Sequence, residues 1–337
     1  MATTVRAIAK AAGVSHTTVS RVLNRSSKVR ESTRERILAE AARLNYTPHH
    51  AARALATRRT RTIGAVLPTI ESSILARVIG GLESTVMRHG YALVTASTGF
   101  DQAVEARHGQ DLIGLGAEAL VVWGLEHDEA LLRAAQSRGV PIVCTSVFDP
   151  DFPLPTIGYD NRSLGATAMR FLLDRGHEHI AVVSGPLRKS DRRRMRLAGM
   201  RDAYPDHSKL SLMETGVSVE GGVHAARELA TMKPRPTALL CLSDVLAMGA
   251  LFEAPRQGLS VPDDLSVMGF DDLDWTPHIE PALSVVHLPT REMGQATGEA
   301  LVQYLDEGKP IDPIEVKGHL LERRSTARRC GSRTRRP

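Results

Sequence analysis

Apolar residues recur at helical spacing through the first sixty positions and at strand spacing after them, so the chain divides near Thr62. Val5, Ile8, Ala9 and Ala12 lie on one face of a first helix, which Gly13 interrupts with the backbone freedom a tight turn needs. Ser15 then reads as the N-cap of a second helix reaching Leu23, with Val19, Val22 and Leu23 inward and His16, Thr17, Ser20 and Arg21 outward. Ser32-Thr33-Arg34-Glu35 forms a capping box that predicts a third helix, its inner face made by Ile37, Leu38, Ala41 and Leu44. Pro48 ends this unit. Residues 50–57 predict a short Ala- and Arg-rich helix with too few apolar positions to be stable alone, hence one conditional on a partner.

From Thr62 onward, apolar runs at 63–67, 92–96, 119–123, 141–145, 180–184, 238–242 and 265–269 alternate with amphipathic helices such as 76–89 and 244–257. Strands joined by helical crossovers make a parallel sheet covered on both faces. The series pauses in a Pro- and Asp-rich stretch at 149–155 and then resumes, which predicts two doubly wound lobes. A last span, 284–287 followed by 289–305, is expected to cross back to the first lobe. The fold class that follows is an all-α helix-turn-helix headpiece (1–48), a hinge helix and linker (49–61), a two-lobed α/β body (62–322) and a basic tail (323–337) expected to be disordered.

Charge sharpens this division. The net charge of +5 over 337 residues conceals 13 Lys or Arg against 3 acids in residues 1–62 and seven Arg with no acid in residues 323–337, leaving the body at −12. A basic module suits a polyanion, because cations at phosphates release condensed counterions, and an acidic body avoids covering DNA indiscriminately. Hydrophobic residues make up 42% of the chain and aromatics only 4%, so the core is aliphatic. Three scattered cysteines supply neither a disulfide framework nor a spaced metal site, and Cys144 and Cys241 fall inside apolar runs as core thiols. No apolar run approaches the ~20 residues of a membrane span, and no signal-type segment opens the chain. A cytoplasmic protein without cofactor or metal is expected.

The run Ala7-Ile8-Ala9-Lys10-Ala11-Ala12-Gly13-Val14-Ser15-His16-Thr17-Thr18-Val19-Ser20-Arg21-Val22-Leu23-Asn24 gives a turn, two pinned helices and an exposed row of hydrogen-bonding side chains that a major groove accepts. It resembles the headpiece of the LacI/GalR family of repressors, as do Leu44-Asn45-Tyr46-Thr47-Pro48 and Ala51-Ala52-Arg53-Ala54-Leu55-Ala56. The resemblance implies base contacts from His16, Thr17 and Arg21 and phosphate contacts from Ser15, Thr18, Asn24 and Tyr46, with Ser20, His49 and Ala52 in the same DNA-facing set. Leu55 falls where the family wedges a hinge leucine from each subunit into the minor groove. Arg58, Arg59 and Arg61 read either as phosphate contacts or as a solvated linker. Double-stranded operator DNA and a homodimer are the implied partners. The tail lacks the leucine heptads of a tetramer.

Through Gly90-Tyr91, Gly176-His177, Arg196-Leu197-Ala198-Gly199, Ser243-Asp244 and Gly269-Phe270-Asp271-Asp272 the resemblance continues to about Arg324, implying a periplasmic-binding-protein-like body with a ligand cleft between its lobes and three crossover segments. Ligands of open α/β sheets bind beyond the carboxyl ends of strands, and that rule by itself selects Trp123, Ser146, Ser243 and Asp271. The family positions add Ser72, Ile74, Leu75, Arg192 and Arg196. A guanidinium fork and a carboxylate suit a sugar or sugar acid, although Arg196 in a structural salt bridge is the competing reading. Ser243, Ser146, Val217 and Thr290 depart from sugar-binding members, which argues against a galactoside-like ligand. The cationic stretch 188–196, expected as a loop entering the cleft, favours an anion or is merely solvated. Leu67-Pro68, Ala250-Leu251-Phe252-Glu253 and Val261-Pro262-Asp263-Asp264 are similar to gluconate-type repressors. Nucleobases are disfavoured because these cleft positions lack stacking aromatics.

Other classes fit less well. Gly114-Leu115-Gly116 lies where a helix feeds a strand and so is no dinucleotide loop, and no serine or cysteine nucleophile stands beside a base. Asp271, Asp272 and Asp274 offer a divalent metal site on composition alone. A free sugar-binding protein has no use for residues 1–62, nor a DNA-compacting protein for the acidic body. A transcription regulator, a repressor released by a sugar or sugar acid, is the reading these features favour, with a co-repressor-type regulator binding another metabolite as the alternative.

Overall fold

The computed structural model describes residues 4–23, 28–46, 59–204 and 206–329 and divides into two compact units between Thr60 and Arg61. In the first, α1 (Val5–Ala12), α2 (His16–Leu23) and α3 (Glu31–Arg43) close around Ile8, Ala9, Ala12, Val19, Val22, Ile37 and Ala41. Gly13 turns the chain at φ +64°, a left-handed conformation that glycine adopts without strain. The Ser15 hydroxyl accepts from the Thr18 N–H at 3.1 Å, which satisfies a free donor in the first turn of α2.

The third helix departs from expectation at its start. It begins at Glu31, so Ser32 and Glu35 lie inside it and form no capping box; the Arg30 carbonyl accepts from the Thr33 and Arg34 N–H groups, and no side chain caps the end. Leu38 is 48% exposed, because Ile37 and Ala41, one turn apart, already fill the inner face. The predicted hinge helix at 50–57 lies outside the described residues.

The second unit holds two six-stranded sheets. In order along the chain, the elements are β1 (Thr62–Leu67), α4 (Ser73–Arg88), β2 (Ala92–Ser97), α5 (Gln102–Gly114), β3 (Ala119–Trp123), α6 (Glu129–Arg138), β4 (Ile142–Thr145) and β5 (Thr156–Gly158). There follow α7 (Asn161–Leu173), β6 (Ile180–Ser184), α8 (Asp191–Ala203), β7 (Leu210–Glu214), α9 (Val219–Thr231), β8 (Ala238–Cys241), α10 (Asp244–Glu253) and β9 (Ser266–Asp271). The chain ends in β10 (Ser284–His287), α11 (Thr290–Glu307), β11 (Ile314–Glu315) and β12 (His319–Leu321). The first sheet runs β11-β5-β4-β3-β1-β2 and the second β12-β10-β9-β8-β6-β7, parallel throughout except where β12 meets β10.

All seven anticipated strands are present, with ends shifted by a residue or two, but the lobe boundary is not at 149–155. β5 adds a further strand to the first sheet, and the chain leaves that lobe only after it. β10 lies in the second sheet, so the return crossing falls between His287 and Thr290. α11 then packs on α4 so closely that a methyl group on Gly294 would sit 2.1 Å from the Val78 carbonyl oxygen. β11 and β12 join opposite sheets, making the third crossing. The first part of the expected tail is also ordered: Ser325 and Thr326 are buried, and the Arg329 N–H donates to the Arg175 carbonyl at 2.8 Å, so the body extends at least to Arg329. Among the described residues no helix is long and apolar enough to cross a membrane.

α7 and α8 approach backbone to backbone at two reciprocal glycines. A methyl on Gly199 would lie 1.8 Å from the Arg162 carbonyl oxygen, and one on Gly165 would lie 2.1 Å from that of Arg196. Gly199→Ala and Gly165→Ala should therefore each lower the free energy of unfolding by about 1–3 kcal/mol, the usual cost of forcing volume into a closed contact. Urea denaturation of the two variants measures this.

Candidate functional site

In the headpiece, Ser15, His16, Thr17 and Arg21 are exposed on the α2 side, Thr18 and Ser20 are half-buried, and Tyr46 packs partly against the small core. Ser15 and Thr18 share a hydroxyl hydrogen bond of 2.8 Å, which pre-orients both. Asn24, His49, Ala52, Leu55 and Arg58 lie outside the described residues.

In the body, a cavity of about 550 Å³ opens between the two sheets. Every residue anticipated for the cleft lines it. Ser72, Ile74 and Leu75 enter from the start of α4, Trp123 from the end of β3 and Ser146 from just beyond β4. Ser243 stands at the N-cap position of α10 and Asp271 at the end of β9, while Arg192 and Arg196 come from one face of α8. The cationic stretch is thus not a loop: its polar side chains mislead, since Ser190 caps α8 by accepting from the Arg193 N–H and the helix runs from Asp191. Val217 also lines the cavity, whereas Thr290 is buried outside its lining.

Two guanidinium groups are buried here. Arg196 donates from Nε to the Asn161 amide oxygen at 2.9 Å and lies 4.1 Å above the centre of the Phe270 ring. Burial pulls its pKa down to about 10 against the opposing pull of Asp271, so it stays charged at neutral pH. Arg192 bonds the Asp191 carboxylate at 2.7 Å and faces the Trp123 ring at 5.4 Å. Asp191 in turn accepts from the Leu125 N–H at 2.6 Å, which ties the second lobe to the loop after β3. Gly124 makes that approach feasible, at φ +92° with no room for a side chain beside Asp191. Arg194 pairs with Glu126 beside it, and Arg77 of α4 reaches Asp274 at 2.5 Å and the Asp272 carbonyl at 2.8 Å. The lobes are latched at both ends of the cavity.

Asp271 and Asp272 both hold positive φ, a strained conformation for a side-chain-bearing residue and one that turns consecutive carboxylates apart. Asp272 is taken by Arg323 at 2.7 Å and His287 at 2.8 Å, and Asp274 by Arg77; among the described residues no group of three acids or histidines can hold a metal ion. Asp271 alone faces the cleft, with the Asp244 N–H at 3.4 Å.

Phe100 and Tyr159 are among the lining residues that were not anticipated, and neither was Asn161, which holds Arg196; Arg193, from the cationic stretch, lines the cavity as well. The strand-end rule finds Tyr159 once β5 is recognised as a strand. With Trp123, Phe100 and Tyr159 give the cleft three aromatic side chains, so the expectation that it lacks them does not hold. They come from loop ends that no aromatic pattern marks.

Residues 4–49 match the model for bacterial regulatory proteins of the lacI family, and residues 152–326 match that for a periplasmic binding protein-like domain. The chain is 32% identical to the HTH-type transcriptional repressor PurR of Photobacterium profundum, over 96% of this chain and 98% of that protein. It is 34% identical to the ribose operon repressor of Haemophilus influenzae, over 89% and 91% of the two. Among solved structures it is similar to the Lac repressor dimer bound to operator and the anti-inducer ONPF (TM-score 0.84, 25% identity, 97% of this chain and 100% of that one). A transcriptional regulator CelR–cellobiose complex is similar over 96% and 99% of the chains, with TM-score 0.66 and 28% identity.

Burial raises the Asp271 carboxyl to about 6, with Arg196 pulling the other way. A carboxyl whose folded pKa exceeds its unfolded value keeps its proton longer in the folded state, so this group's contribution to stability is lost as pH rises from about 4 to about 6. Relative to Asp271→Asn, the unfolding free energy of the wild-type protein should fall by on the order of 2–3 kcal/mol across that window. Chemical denaturation of both proteins at a series of pH values checks the sign.

Proposed function

The chain belongs to the LacI family of DNA-binding transcriptional regulators and is not an enzyme, and we propose that it is a repressor released from its operator by a small sugar acid bound in the cleft. Arg193 carries this reading. It is a half-buried guanidinium in the cavity wall that has no ion pair among the described residues and shares the pull of Asp271 with Arg196, while Asp191 already answers Arg192. A cation withdrawn from water without an ion pair is costly, and an arriving carboxylate relieves that cost. Asp271, Ser146 and Ser243 then take the hydroxyls, Trp123 offers an apolar face, and Ser72, Ile74 and Leu75 close the other wall.

On the DNA side, His16, Thr17 and Arg21 read bases in the major groove, with Ser15, Thr18, Ser20, Asn24 and Tyr46 positioning the backbone. His49, Ala52, Leu55 and Arg58 serve the hinge, where Leu55 wedges the minor groove. The likeness to a Lac repressor dimer bound to operator supports a homodimer on a two-fold site. A ligand that prefers one lobe orientation shifts the population toward it and cannot couple more strongly than that preference. The contacts from Asp191, Arg194 and Arg77 are those that a change of lobe orientation must remake.

A nucleobase co-repressor is the second reading, favoured by the three cleft aromatics. Operator titration with and without D-gluconate, D-ribose and hypoxanthine separates the two. The sugar acid should weaken operator binding, and Arg196→Ala and Asp271→Ala should abolish that response; tightening by hypoxanthine alone would decide for the second reading. Arg21→Ala should cost about 1–3 kcal/mol of specific binding and relax one operator position.

A further inference from the structure

The Tyr159 side chain is 1% exposed and lines the cavity, yet its hydroxyl has no hydrogen-bond partner among the described residues. Its ring belongs to the main aliphatic core of the body, where a phenylalanine would pack equally well. A buried hydroxyl without a partner gives up its hydration for nothing, so an oxygen at this position calls for a recipient that arrives from outside.

The neighbourhood says what kind. The charged groups acting on the Tyr159 hydroxyl are Arg196, Asp271, Glu292 and Arg192. Burial pushes its pKa up, so it remains a neutral phenol with a proton to donate. Beside Tyr159 the cleft lining thus includes the Arg196 guanidinium, a second donor, and the Asp271 carboxylate, an acceptor. That pattern complements a carboxylate oxygen flanked by a hydroxyl.

We infer that Tyr159 is a specificity-determining residue that donates to the carboxylate of a 2-hydroxy acid, the neighbouring hydroxyl of which is taken by Asp271. This rests on the sugar-acid reading of the cleft and names the end of the ligand that goes in first. Tyr159 discriminates the acid from the alditol of the same carbon skeleton, because the alditol brings a weaker acceptor to a dry donor.

The test uses the full chain and its Tyr159→Phe variant with D-gluconate and D-ribonate, each beside its alditol, D-glucitol and D-ribitol. Melting temperature without ligand is measured first and affinity by calorimetry second. Without ligand the variant should melt at the same temperature as wild type or a few degrees higher, on the order of 2 °C, since an unsatisfied group has been removed. Affinity for the preferred acid should fall roughly 5- to 50-fold in the variant while any alditol binding is unchanged. A drop of several degrees in the unliganded variant would mean that the hydroxyl serves the fold, and the inference is wrong. Equal affinity of both proteins for the acid removes the role of Tyr159 and leaves the sugar-acid reading standing. No binding of either acid to the wild-type protein removes that reading and the inference with it.

Discussion

A guanidinium taken out of water must be answered on every side, and the body of this protein is arranged around the answer to Arg196. The Asn161 amide oxygen takes Nε, the Phe270 ring covers one face, and Asp271 supplies the opposing charge. Asn161 is itself fixed, donating to the Ser146 carbonyl at 2.8 Å and the Tyr159 carbonyl at 3.2 Å. One buried cation thus connects the ends of β4 and β5 in the first lobe to α8 and β9 in the second. The reciprocal glycines of α7 and α8 set how near the cation can come, because any side chain there would push the two backbones apart.

The same constraint shapes what the cleft can bind. Arg192 is answered by Asp191, which spends its other oxygen on the backbone of the opposite lobe, so the wall of the site is also part of the latch. Arg193 has no ion pair and the buried Tyr159 hydroxyl no hydrogen-bond partner among the described residues, and both residues line the cavity. Recognition and lobe orientation therefore share side chains. A ligand that engages α8 necessarily acts on the contacts that hold the lobes, which is the physical requirement for a regulator whose binding event is read elsewhere in the chain.

Legibility in the sequence followed the length of the signal. The helices of the headpiece and the seven long strands have enough apolar positions for their period to show, and the strand-end rule then brought Trp123, Ser146, Ser243 and Asp271 to one place. β5 spans three residues, two steps of alternation, which no periodicity can reveal, and with it the true lobe boundary and Tyr159 were hidden. α8 was hidden for the opposite reason: five of its first six residues are Arg or Asp, so it reads as a solvated loop, and only packing against α7 shows that two of those arginines are buried. Leu38 and the displaced start of α3 show a helix face narrower than its apolar residues suggest.

What the sequence by itself determined is local: hydrophobic period chooses helix or strand, glycine and capping residues place many of the turns, and the excess of Lys and Arg over acids marks the DNA-binding end. Those properties depend on neighbours a few positions away. The identity of the partners did not follow from them. Arg196 and Asn161 are 35 positions apart, Asp191 and Leu125 66, and Arg77 and Asp274 197, and their pairing exists only once two sheets have formed and the chain has crossed between them three times. Burial, which decides whether an arginine is a solvated charge or a ligand-facing one, is a property of that assembly and not of any segment.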